Sequence, residues 1–233
     1  LYARHTVITG TPLRDSFHFG QTLSNDFGRP FGQGWNSQHG ITARLESGRW
    51  FSYLRVEHQH SPGREALSQE VRELMAQLDG IPADPPTPTD GLSRLRPLEA
   101  YAGLRFRNLQ LSLGKQALYW GPTYDGPLSF SVNAEPTKNA RLSTVHPFVL
   151  PGVLNRLGNI RTEFVIGKLG GHRYTWRPWF NGQKISLKFT ENLEMSYTRW
   201  SIFWGFGHPI TLKSFLRNLT SFTSPNSSQD SIN

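Results

Sequence analysis

From Leu98 to Phe106 every second side chain is apolar. Leu98, Ala100, Ala102, Leu104 and Phe106 share one parity, and Glu99, Tyr101, Arg105 and Arg107 share the other. The pattern restarts after Asn108, with Leu109, Leu111 and Leu113 set against Gln110, Ser112 and Gly114. It returns in Ile185, Leu187 and Phe189 against Lys184, Ser186 and Lys188, and in Leu193, Met195 and Tyr197 against Glu194, Ser196 and Thr198. Successive side chains of a strand turn to opposite faces, so each stretch reads as a strand with one apolar and one polar face. Weaker copies lie at 40–46, 50–58 and 160–168, and short polar breaks between several stretches suit hairpin turns.

Two architectures use such strands. A soluble sandwich buries the apolar face in a core and wets the polar one. An antiparallel outer-membrane β-barrel turns the apolar face to lipid and the polar face to its lumen. Three features favour the barrel. The stretches reach about nine to eleven residues, the length a tilted strand needs to cross a bilayer. Trp50, Tyr119, Trp120, Trp200 and Trp204 fall near strand ends, as an interfacial girdle requires. The polar faces also carry long charged side chains such as Glu99 and Arg105 rather than Ser and Thr.

The 233 residues suffice for one large all-β domain or two small ones. The mean hydropathy is -0.47, and no run in the sequence approaches the roughly 20 apolar residues a helical span needs. There is no cysteine, hence neither a disulfide framework nor a thiolate zinc site, and no cofactor is expected. A net charge of +8 and a pI near 10.0 suit an acidic partner. The basic residues are scattered and form no nucleic-acid motif, so nucleic acid is not expected. The chain opens on Leu1 in the middle of a pattern, and the expectation is a portion of a longer protein.

Two helices interrupt the strands. Leu67, Val71, Leu74, Met75 and Leu78 recur at helical spacing within 64–78, after Ser61-Pro62-Gly63. A proline tract at 81–90 cannot pair in a sheet, so 61–97 reads as an insertion outside the membrane. A second helix is expected at 211–222, ahead of a polar tail at 224–233. The whole chain, 1–233, reads as a single barrel domain, a fragment of a larger barrel that includes the insertion and this helix.

The stretch 114–136 breaks at Gly121-Pro122 and again at Asp125-Gly126-Pro127, yet it carries Tyr119, Trp120, Tyr124, Asp125, Asn133 and Glu135. Aromatic faces among planar polar groups suit a sugar ring, which is apolar on its faces and hydroxylated at its edge. The bland alternative is a rigid corner packing two aromatics. Arg105 and Arg107 precede it and complete a candidate site for an acidic polysaccharide. Asp125 and Glu135 are also a conceivable glycosidase pair, though any sequence offers such pairs. His58 and His60 share a strand face without an evident third metal ligand, and read as rim residues.

Several stretches resemble the capsule assembly Wzi family. They are 113–122 with 128–136, Asn25-Asp-Phe-Gly-Arg-Pro-Phe-Gly-Gln33, Leu54-Arg-Val-Glu-His-Gln-His60, 191–199 and 207–217. The resemblance implies an outer-membrane barrel, longer than this chain, that acts without catalysis as a lectin tying capsular polysaccharide to the cell surface. It assigns no ligand-contacting residue. The alternatives are a porin-like barrel, whose Arg105, Arg107, Arg161, Lys184 and Lys188 would pass anionic solutes, and a soluble carbohydrate-active sandwich.

Overall fold

The computed structural model describes residues 1–9, 26–29, 31–63, 65–80, 82–83, 85, 90–121, 129–170, 177–205, 207 and 211–220. Its strands are β1 (Tyr2–Ile8), β2 (Gly34–Ser47), β3 (Trp50–Ser61), β4 (Leu92–Phe106), β5 (Leu109–Gln116), β6 (Thr137–Thr144), β7 (Asn159–Lys168), β8 (Trp179–Lys188) and β9 (Glu194–Phe203). They form one nine-stranded sheet in chain order. The β1–β2 pair and every pair from β4 to β9 are antiparallel. Neighbour-to-neighbour order is what hairpin connections produce, since no strand crosses over another. By contact density the chain divides into two compact units. One is Leu1–Ala43, Arg55–Leu98 and Val132–Glu135; the other is Arg44–Leu54, Glu99–Ser131 and Pro136–Asn233.

Helix α1 (Gln69–Asp79) starts later than the apolar spacing suggests. Ser68 is the reason: its hydroxyl accepts from the Val71 amide at 3.4 Å and caps the first turn. Gly80, at φ 65°, closes the helix in the left-handed conformation. Helix α2 (Leu212–Thr220) follows β9. It docks through polar groups, with Arg199 donating to the Leu219 carbonyl at 2.9 Å and the Asn218 carbonyl at 2.8 Å. Asn218 also bonds Asn181, which is fully buried.

Several strands expose much of their apolar side and bury polar residues on the other, although Phe51, Val165 and Phe180 are buried as well. On β5, Leu109, Leu111 and Leu113 are exposed while Ser112 and Gln116 are buried. Leu104, Phe106, Leu142, Ile185, Met195 and Tyr197 continue the exposed set. A sandwich would bury these residues in its core, so the inverted polarity selects the barrel type of wall. Leu98 departs from the expected wall. It is 0% exposed, its neighbour Glu99 is buried too, and Leu95 and Pro97 are exposed instead. Two consecutive buried residues mean that the alternation slips by one, as an extra residue in one strand makes it do.

Leu104→Arg places a charge on the apolar wall, a cost of roughly 2–4 kcal/mol at a bilayer midplane. Arg105→Leu removes a partly exposed ion pair worth at most about 1 kcal/mol. Heat-modifiable mobility of membrane fractions should show Leu104→Arg failing to assemble and Arg105→Leu assembling; equal tolerance contradicts the assignment of faces.

Candidate functional site

In the first unit the chemistry gathers on Glu57. Its side chain on β3 is fully buried, and a buried carboxylate needs partners in proportion. Arg29 meets it with both arms of its guanidinium, Nη2 at 2.6 Å from Oε1 and Nε at 2.9 Å from Oε2. The Tyr2 hydroxyl donates to Oε1, Arg55 Nε approaches it at 3.1 Å, and Gln59 donates to Oε2 at 2.9 Å. Asp26 takes a second bond from Arg29 at 2.6 Å and one from Arg4 at 2.9 Å. Burial opposes the charge on Arg29, but the Glu57 and Asp26 carboxylates more than offset it and raise its pKa above the ordinary guanidinium value. Arginines also cover rings, with Arg55 4.8 Å from the Phe27 centroid and Arg29 5.2 Å from it.

The turn that delivers Arg29 depends on Gly28. Phe27 and Gly28 both have positive φ, and a Cβ on Gly28 would fall 2.7 Å from the Glu135 amide nitrogen. The Phe27 amide donates to the Val132 carbonyl at 2.5 Å, and Glu135 bonds Arg96 at 2.8 Å. Three stretches singled out in the sequence, around 26–29, 56–59 and 132–135, thus meet in one network.

In the second unit Trp120 is 1% exposed. It bridges to Phe130, accepting from Ser129 and donating its amide at 2.9 Å, and packs with Leu118, Val165 and Phe180. Its indole N–H donates to Glu163 at 2.7 Å, and Arg141 holds the other oxygen of that carboxylate at 2.7 Å. Gly182 leaves room for the ring, since a Cβ there would lie 2.7 Å from it. The Gly-Pro break therefore does not present Trp120 to solvent; the ring is a brace.

The remaining expected residues scatter. Tyr119 is half-buried, and Asn133 and Glu135 are exposed in the first unit. Tyr124 and Asp125 lie outside the described residues. Arg105 faces inward, bonded to Glu46 at 2.9 Å and Gln110 at 3.1 Å, 4.8 Å over the Phe51 ring. Arg107 is not on the strand; it sits in the turn after β4 with φ 51°. The whole of β5 separates that turn from Trp120, about 25 Å of strand, so the arginine pair and Trp120 are not one site. Sequence reading missed what lies beside Arg105. Tyr53 and Tyr101 stack at 5.2 Å between centroids, on the polar face that also carries Arg44, Glu46 and Arg141. Tyr101 and Arg105 shared a parity in the sequence, but Tyr53 and Arg141 lie on strands that only pairing brings near.

A family model described as capsule assembly protein Wzi matches residues 3–233. Among solved structures, the chain is similar to Wzi of Escherichia coli, described as an outer membrane protein involved in group 1 capsule assembly and a carbohydrate-binding β-barrel. The TM-score is 0.63 at 17% identity, over 91% of this chain and 40% of that one. This chain thus spans less than half of that protein's length, and the shared fold is the antiparallel barrel wall. No curated protein matches the sequence.

Arg29→Leu leaves Glu57 buried without its fork and should cost roughly 3–5 kcal/mol, whereas Arg29→Leu combined with Glu57→Leu should cost markedly less. Denaturant unfolding of the detergent-solubilised protein measures both, and a double variant as unstable as the single one contradicts the network.

Proposed function

We propose, from the premise that the chain belongs to the Wzi family of capsule assembly proteins, that it forms part of an outer-membrane barrel that holds capsular polysaccharide at the cell surface. The role is binding rather than catalysis. The polymer is acidic, and it meets the polar face of the second unit. The observation that carries this reading is the stacked pair Tyr53 and Tyr101 beside Arg44, Arg105 and Arg141. Sugar rings stack on aromatic faces, and guanidinium groups take carboxylates with two parallel bonds. Glu46 and Glu163 hold those arginines in place, and each arginine keeps N–H donors beyond its bond to a carboxylate. The basic balance of the whole chain favours an anionic polymer over a neutral one.

Two variants separate binding from folding. Tyr101→Ala should reduce polysaccharide held on encapsulated cells, stacking being worth about 1–3 kcal/mol per ring by analogy with bases on aromatics. Trp120→Ala should impair barrel assembly as well, because it empties a buried cluster and strands Glu163. Surface-bound polysaccharide and heat-modifiable mobility are measured together. Wild-type retention by Tyr101→Ala, and by Arg105→Gln with Arg141→Gln, contradicts the site.

A further inference from the structure

We propose that the exposed face of β1–β3 in the first unit carries a histidine cluster that binds the phosphate of an anionic phospholipid headgroup. His5, His39 and His58 are exposed and His60 is half-buried. The His5 ring lies 5.0 Å from the His39 ring and 5.0 Å from the Trp35 ring. Register places the other two beside them. Only Gly48 and Arg49 join β2 to β3, so counting back from Ser47 and Trp50 sets Glu57 across from Gly40, where the Tyr2 hydroxyl reaches it. One step along each antiparallel strand sets His58 across from His39, and two further steps set His60 across from Ser37, itself opposite His5. Residues of the other parity, Tyr2, Asn36, Gln38, Glu57 and Gln59, turn away from this face, and all but the half-buried Tyr2 are buried.

What surrounds the cluster selects its ligand. Val7, Trp35, Ile41 and Leu95 are exposed on the same side, and Ser93 Oγ lies 3.4 Å from His58 Nε2. The described positions of this face (3, 5, 7, 35, 37, 39, 41, 56, 58, 60, 93, 95 and 97) hold no Asp, Glu, Lys or Arg. Among the described residues of this face no carboxylate competes with an external anion for the imidazoles. Ring N–H groups donate to phosphate oxygens, and histidine is the side chain that answers to mild acidification. A soluble anion would leave the apolar surround unused. A phospholipid supplies the phosphate and the chains together, and a tryptophan at the same level is a usual interfacial anchor. The inference rests on the barrel reading but not on the polysaccharide site.

The test uses the full-length protein in uncharged detergent with phosphatidic acid, bound lipid being counted by native mass spectrometry at about pH 5.5 and about pH 7.5. Wild-type protein should retain more phosphatidic acid at the lower pH. His39→Gln with His58→Gln should lower that retention about threefold, a factor that weak exposed charge pairs supply. His39→Arg with His58→Arg should keep retention high and remove its pH dependence, which also guards against a variant that simply misfolds. Polysaccharide retention should be unchanged in both, so failure here is distinct from failure of the polymer site. Retention that ignores pH in the wild type, survives the glutamine pair, or is displaced by equimolar inorganic phosphate overturns the proposal.

Discussion

On β5 the leucines at 109, 111 and 113 turn outward while Ser112 and Gln116 are buried behind them, an arrangement favourable only where the surroundings are as apolar as the leucines. Hydrocarbon offers no hydrogen bonds, so each strand within it must pair its backbone with neighbours. Chain-order antiparallel pairing meets that demand with hairpins alone. The same constraint leaves the polar side chains facing one another, where they must be satisfied internally.

That demand explains why carboxylates and arginines recur together on the inner face. Glu57 is held by Arg29 and Arg55, Glu163 by Arg141 and the Trp120 indole, and Glu46 by Arg44 and Arg105. Most of these contacts join different strands or a strand to a loop, so they fix how the segments lie as well as neutralise charge. The networks differ in exposure. Glu57 and Arg29 are sealed, which makes them structural, whereas Arg44 and Arg105 keep contact with solvent and suit a ligand.

The barrel wall was legible where large apolar residues alternate, in the later half of β4, in β5 and in β8–β9. It was not legible in β6, whose Thr-Lys-Asn-Ala-Arg-Leu-Ser-Thr has one large apolar residue and becomes a strand because β5 and β7 pair with both its edges. β1 went unread for a similar reason, since its outward residues include His5 and its inward ones Tyr2 and Ile8. The slip at Leu98 is invisible to a strict two-residue count. The candidate site was read from sequence nearness, which gathered Arg107 and Trp120 although a full strand separates them. The Tyr53–Tyr101 stack depends on pairing between distant segments, and no spacing announces it. The stretches that carried the family resemblance proved to be mostly the packing of Glu57 and Trp120, which is why they pointed to the fold more firmly than to a ligand.

The assignment of faces underlies every functional statement made of this chain, and the absence of cysteine makes it directly measurable. Single cysteines are introduced at Gln110 and Arg141 on one face and at Leu111 and Leu142 on the other, in protein assembled in lipid. A membrane-impermeant maleimide should label Gln110→Cys and Arg141→Cys, while a fluorophore at Leu111→Cys and Leu142→Cys should be quenched by brominated lipid chains. Lipid quenching at 110 and 141 with aqueous labelling at 111 and 142 would contradict the account.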